Sequence, residues 1–338
     1  LDSLANAYHE VYKGQTQADF WGLREFYSLV KKINRDIQQL RAAGLAGDLQ
    51  PQTFLHSIQR NFGGRPREME NILECFFQKV GMLQQLPRLQ RMPVLDLVVE
   101  NLKSQQARHL MILTKNNVAL SLLYDYHLLG HENSEVIFGS DFPLDQSDLQ
   151  ICLNIQRIKN CMAQGRTVVL IHCEGLYESL YDLLNQHYTE YSGQLYVRLA
   201  FGTSSRLCPL VKEFRVVVIV DQVEAYTQLP PPLLNRFEKQ VLARQHLLTD
   251  KQRDTVQRLQ AFVLSFVKLE FIAKSSYSIE PEYDPATGAE LDVGNDDDIA
   301  VRIREAFCGY HGGMLLSLAQ SMDLETIDAV DAESKDEG

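Results

Sequence analysis

Two arginines stand where an anion could be met. Arg236 lies in the run Leu233-Leu234-Asn235-Arg236-Phe237-Glu238-Lys239, after an apolar strand and the stop Pro230-Pro231-Pro232. That order puts it near the end of a short helix. Its planar fork can there make two directed bonds to a carboxylate or a phosphate. A plain surface ion pair with Glu238, two residues on, would use the same side chain. Arg24 lies in Gly22-Leu23-Arg24-Glu25-Phe26, the opening of an amphipathic helix. A helix N-terminus carries partial positive charge and disfavours a cation, so an arginine there fits best when it answers an anion.

A second group of reactive residues follows the apolar run Thr167–Ile171, which ends in His172-Cys173-Glu174. Parallel strands present their chemistry at their carboxy ends. Cys173 and His172 could serve there as nucleophile and base, although neighbours on one strand point to opposite faces. The other reading is a metal-binding strand that has lapsed, with His172 where an aspartate would enter a magnesium shell and Glu174 displaced. The run His109–Leu113 leads into Thr114-Lys115-Asn116-Asn117, the place of a phosphate loop. Such a loop needs glycines so that its N–H groups can curl round phosphates, and this one has none. Lys115 then reads as an exposed loop lysine. Phe201-Gly202-Thr203-Ser204-Ser205 reads as a hairpin tip rather than an anion nest. His127, His131, His187 and His311 share no ligand spacing. Tyr177, Tyr181 and Leu184 recur at core spacing. No metal site is expected in this region, and the carboxylates of 292–298 lack the order of a calcium loop.

These residues must be held by a chain of 338 residues, enough for two domains or three small pieces. Hydrophobic residues make up 45% and charged residues 23%, which excludes wholesale disorder. Lys+Arg 33 against Asp+Glu 44 leaves a net charge of -11, unsuited to unspecific binding of nucleic acid or anionic membrane. The six cysteines are scattered without a C-x-x-C, so neither a disulfide framework nor a zinc ribbon is indicated. No apolar run approaches the length of a membrane span. The chain opens on Leu1 rather than Met, as a piece of a longer polypeptide would.

The first ninety residues carry helical periodicity alone: Leu23 to Leu40, Pro51 to the Gly63-Gly64 stop, and Pro66 to Val80. From Pro93 the pattern alternates. Strands are expected at His109–Leu113, Glu135–Phe138, Thr167–Ile171 and Arg215–Val220, with a hairpin over Leu195–Leu207. Helices are expected at Asn117–Leu129, Asp148–Ala163 and Leu176–Tyr188. The continuously apolar, β-branched runs suit strands covered on both faces, and the helices between them argue for a mainly parallel α/β sheet. After the prolines the chain reads as helical, at Leu233–Leu242 and Asp250–Phe271. An acidic loop follows at Glu280–Asp298, and a last helix at Val301–Ser321. The change of pattern predicts two hydrophobic cores with a seam between Gly81 and Pro93.

The Leu233–Glu238 run after a strand resembles the arginine-finger segment of AAA+ ATPases, and Gly22-Leu23-Arg24-Glu25 resembles the sensor-2 position of an AAA+ lid. The runs Arg108–Asn116, Ile137–Ser140 and Leu176–Gln186, with Asn235–Lys239, are similar to the mysterin family, giant RING-type ubiquitin ligases built on an AAA+ core. The resemblance implies a helical lid of one module over 1–92, the degenerate core of the next over 93–245, and a lid-like helical segment over 246–338. It implies that Arg24 and Arg236 serve ATP and magnesium at the preceding module, with no nucleotide in this core. It also implies zinc only elsewhere in the parent chain, neighbouring AAA+ modules as partners, and ubiquitin with its conjugating enzyme as partners of the whole. A cytoplasmic place with association to lipid droplets goes with it. A nucleotide-free scaffold whose arginines only pack the ring fits the same residues, as does a free-standing hydrolase using Cys173 and His172.

Overall fold

A computed structural model describes residues 1–266, apart from 45–47, 116–117, 141, 202–203, 244–245, 247 and 249. The acidic loop and the last helix expected from the sequence lie outside the described residues. Two compact units are present, Leu1–Leu242 and Ala243–Gly338. In the second, helix α11 spans Asp250–Phe266 and buries Val256.

The first unit begins with four helices, α1 (Asp2–Gly14), α2 (Leu23–Ala42), α3 (Pro51–Asn61) and α4 (Met69–Val80). Local signals set their ends. Pro51 opens α3 with the φ that a first turn needs. Gly81, with φ 78, closes α4 in the left-handed region. In α2 the Glu25 side chain reaches back to accept the Gly22 N–H at 2.9 Å. Glu25, Leu29 and Ile33, spaced by four, form its buried face.

Helix α5 (Val94–Lys103) leads into strand β1 (Leu110–Thr114), and the chain then alternates through α6 (Val118–Asp125), β2 (Ser134–Phe138), α7 (Asp148–Gln164) and β3 (Thr167–Ile171). After β3 a 3-10 turn at Glu174–Leu176 and the short helix α8 (Tyr181–Leu184) precede three antiparallel strands, β4 (Thr189–Tyr191), β5 (Gln194–Phe201) and β6 (Ser204–Leu210). The chain returns through β7 (Arg215–Asp221), α9 (Gln222–Thr227), α10 (Pro231–Leu234) and β8 (Glu238–Val241). The main sheet has the order β2-β3-β7-β1-β8 with every pair parallel. This is the α/β core expected from the sequence.

Three local expectations are corrected. The single helix over Leu176–Tyr188 is broken into the 3-10 turn and α8, and Gln186 turns with φ 56. The helix from Asn117 stops at Asp125 rather than Leu129. The helix expected over Leu233–Leu242 ends at Leu234, and Glu238–Val241 is a buried edge strand of the sheet. Its Glu-Lys-Gln sequence lacks the apolar alternation of a strand, because its polar groups are answered from helices far away in sequence.

Those answers weld the helices to the sheet. Arg60 of α3 grips Glu238 with a two-bond fork, at 2.9 and 2.8 Å. Glu25 of α2, fully buried, accepts from Lys239 at 2.7 Å and from Arg108 at 2.8 Å. Gly63 makes room: a Cβ there would sit 2.2 Å from the Lys239 carbonyl oxygen. The glycine pair read as a helix stop is thus also a point of backbone contact. The two cores expected on either side of the seam are one continuous core, and the seam itself is pinned. Gln59 of α3 both donates to the Met92 carbonyl at 3.2 Å and accepts its N–H at 3.1 Å.

Just before β1, His109 is wholly buried; its Nδ1 accepts the Val216 N–H at 3.2 Å, and its Nε2 lies 3.3 Å from the Tyr188 hydroxyl. Burial, with Arg215 nearby, lowers its pKa from 6.5 to about 3. The unfolded chain therefore binds a proton that the fold refuses, and this contribution to stability is lost as pH falls from 6.5 towards about 3. His109→Asn, which keeps an acceptor for Val216, should flatten that part of the stability profile in urea melts run across pH. An unchanged slope would remove His109 as its cause. Glu25→Ala leaves the buried Lys239 without its carboxylate and takes one from the half-buried Arg108, and breaking a buried pair in this way typically costs about 3–5 kcal/mol. The expected fall in Tm is roughly 6–20 °C; a fall below about 2 °C would show the network to be dispensable.

Candidate functional site

Because the strands are parallel, the sheet has an amino edge and a carboxy edge, and the sequence-predicted residues divide between them. Arg236 and Arg24 lie at the amino edge. Arg236 follows α10 and precedes β8, whose first N–H donates to the His109 carbonyl at 2.8 Å. Arg24 stands in the first turn of α2. The two segments are stitched together: the Asn235 amide donates to the Asp19 carbonyl at 3.1 Å, and Arg108 donates to the Asn235 carbonyl at 3.1 Å.

Both arginines rest on α8. The Arg236 guanidinium lies 4.2 Å from the centre of the Tyr181 ring, and Arg24 donates to the Asn185 side-chain oxygen. Arg236 is half-buried and Arg24 exposed. Burial lowers the pKa of Arg236 from its ordinary value, Tyr181 opposes this, and the charge of Arg24 lowers it further. Two guanidinium groups thus stand within electrostatic reach of each other. Among the described residues neither has a carboxylate partner, and the Arg236 Nε has no hydrogen-bond partner. The ion pair considered between Arg236 and Glu238 is not formed, since Glu238 is buried against Arg60. Two cations with neutral supports form a place that an anion would relieve. Sequence spacing did not reveal Tyr181 and Asn185 as the supports, and no local signal could have: they come from a separate βα connection.

The carboxy edge carries the remaining groups. Thr114 ends β1 opposite Asp221 of β7 and is buried, with no partner for its hydroxyl among the described residues. Lys115 is half-buried, and 116–117 lie outside the described residues. Cys173 turns inward, donating to the carbonyls of Ile137 at 3.4 Å and Ile171 at 3.2 Å. Burial pushes its thiol up to about 11. His172 points the other way, exposed, on a turn with φ 52. The structure therefore separates the two members of the nucleophile–base pairing considered from the sequence. His172 instead joins Glu174 and Glu224, whose ligand-type atoms all lie within 4.8 Å of one another. Burial, then the Glu174 carboxylate, raises the pKa of Glu224 above the usual carboxylate value, while His172 opposes the shift. Glu224, in α9, was missed because it is distant in sequence and lies in no recognisable motif.

The fold and the sequence agree with comparisons to known proteins. Residues 99–248 match the family model described as the RNF213 AAA domain. The chain carries an RNF213-type AAA domain. It is 37% identical over 291 residues to the E3 ubiquitin-protein ligase RNF213 of Mus musculus, covering 81% of this chain and 5% of that protein. Identity to rnf213-beta of Danio rerio is 33% over 322 residues, or 92% of this chain and 6% of the relative. Identity to RNF213 of Homo sapiens is 35% over 282 residues, or 79% and 5%. The chain thus spans only 5–6% of the length of these RNF213 relatives. No helix among the described residues is long and apolar enough to cross a membrane.

A buried thiol with a raised pKa is a poor nucleophile. At pH 8 iodoacetamide should label exposed Cys152 well before Cys173, as read by peptide mass mapping of the folded chain. Faster labelling of Cys173 would restore it as a reactive group.

Proposed function

We propose that this chain is a relay piece of an RNF213-type AAA core: it holds no nucleotide of its own and delivers Arg24 and Arg236 to ATP bound at the preceding module. One observation carries the reading. The fold brings two arginines from opposite ends of the first unit together at the amino edge of the sheet, with no carboxylate to neutralise them among the described residues. That edge is the one away from the strand ends where this domain would hold a nucleotide itself. There the loop after β1 lacks glycine, and His172 stands where a metal-shell aspartate would be.

In this reading the helices of residues 1–92 are the lid of the module before, and Arg24 approaches the phosphates from it. Arg236, from the following core, reaches the same nucleotide from beside Arg24. Its guanidinium is held over the Tyr181 ring, so the cation is positioned before the reaction begins. Charge that spreads over the transferring phosphoryl oxygens meets this fork most strongly in the transition state, which lowers the barrier rather than tightening binding. The parent chain, like the RNF213 relatives by name, then couples this ATPase core to ubiquitin transfer, with ubiquitin and its conjugating enzyme as partners of the whole rather than of this segment. A cytoplasmic setting and lipid-droplet association belong to the same proposal.

A purely structural role is the second reading, and the Tyr181 stack favours it, because that contact alone would keep an arginine in place. Single-turnover hydrolysis by the full-length chain separates the two. Arg236→Ala should reduce the rate by about 10³-fold or more with little change in nucleotide affinity. Arg236→Lys should restore little of it. Unchanged turnover together with a lower Tm would leave Arg236 as a packing residue.

A further inference from the structure

The carboxy edge of the sheet holds a constellation that the relay reading leaves unused. We propose that His172, Glu174 and Glu224 bind one divalent transition-metal ion, of the zinc type, with no nucleotide involved. The three ligand-type atoms lie within 4.8 Å of one another, a spacing one ion can bridge. Their supports are rigid and come from adjacent strands. His172 sits on a left-handed turn after β3, and Gly139 packs so closely beneath it that an added Cβ would lie 1.7 Å from the His172 carbonyl oxygen. The Gly139 N–H also donates to the Ile171 carbonyl at 2.8 Å. Glu174 opens the 3-10 turn that follows. Glu224 lies in the first turn of α9, whose start is fixed by the Asp221 carboxylate accepting the Val223 N–H at 2.9 Å.

The donor set decides the class of ion. One imidazole nitrogen and two carboxylate oxygens suit zinc, manganese or cobalt, whereas calcium and magnesium prefer oxygen alone. Glu174 and Glu224 bring two carboxylates together, and a dication would answer both at once. A separate observation points to the same spot. Tyr177, whose N–H donates to the Glu174 carbonyl at 3.2 Å, is 6% exposed, and its hydroxyl is buried with no hydrogen-bond partner among the described residues. A buried hydroxyl left unpaired in this way calls for a partner. A water on the open position of a three-ligand ion, or a ligating carboxylate, supplies one. His172 and Glu174 are exposed, which gives the ion a way in. Cys173 is not a fourth ligand, because its thiol faces the Ile137 and Ile171 carbonyls.

Titration of the 338-residue chain with Co²⁺, followed by absorbance, tests the site. One ion per chain should bind, with visible bands of nitrogen and oxygen ligation and no sulfur-to-cobalt charge-transfer band. Zn²⁺ should displace it stoichiometrically, and a large excess of Mg²⁺ should not. His172→Asn, which tolerates the left-handed backbone, and Glu224→Gln should each weaken Zn²⁺ binding about tenfold or more while the metal-free melting curve stays close to wild type. Tyr177→Phe should weaken it by less. A charge-transfer band, affinity unaltered in both ligand variants, displacement by Mg²⁺, or no stoichiometric binding would each overturn the proposal. If a ligand variant is found to be misfolded, the charge-transfer region and Mg²⁺ competition of the wild-type chain still decide. None of these outcomes depends on the role of Arg236.

Discussion

Two carboxylates buried between the helices and the sheet govern the rest of the structure. Glu25 and Glu238 are almost wholly excluded from water, and each is held by cations from elements far away in sequence. Desolvated ion pairs of this kind seldom add much net stability, but losing one partner is costly because a bare charge remains. The tension is visible in Lys239: burial lowers its pKa to about 8, Glu25 opposes this, and Arg108 adds to the lowering. Such an arrangement tolerates only one docking of α2 and α3 against β8. Apolar contact alone would leave neighbouring docking positions close in energy, since it has no direction.

The position of the two arginines follows from that constraint. Glu25 lies next to Arg24 on α2, and Glu238 lies two residues after Arg236, so fixing the carboxylates fixes the arginines. The link is covalent and short, and Asn235 tightens it through Asp19 and Arg108. Charges that cannot move hold in place charges that remain available. The guanidinium of Arg236 then lies over the Tyr181 ring, and α8 with its capping residue Asn185 becomes the platform for both.

The parallel sheet separates two kinds of chemistry by direction alone. Its amino edge collects cations, and its carboxy edge collects an imidazole and carboxylates at the ends of β3 and β7. Between them the strand interiors are apolar and closed: Val168–Ile171, Leu110–Leu113 and Val216–Val220 are buried throughout. The two edges are therefore free to differ, and a change in the residues at one leaves those of the other in place.

Much of this was legible in the chain because local physics wrote it there. Β-branched runs such as Thr167–Ile171 and Arg215–Val220 suit strands covered on both faces, and Pro51, Gly81 and the Glu25 reach-back mark helix ends without help from neighbours. The absence of glycine in Thr114–Asn117 is likewise a property of the sequence, as is the suspicion that Arg24 and Arg236 answer an anion. What the sequence could not decide was partnership. Glu238–Val241 was read as helix because a strand of Glu, Lys and Gln has no apolar signature, and only Arg60, Glu25 and Gln59, arriving in three dimensions, make it one. Leu176–Tyr188 has helical spacing, but the chain must turn to set Tyr177 beneath the carboxy edge and Tyr181 under Arg236. His172 and Cys173 looked like a pair and face apart, whereas His172 and Glu224 shared no motif and meet. Periodicity reports which face of an element is buried; it carries no record of which distant charge will stand opposite, and at both edges of this sheet that opposition makes the site.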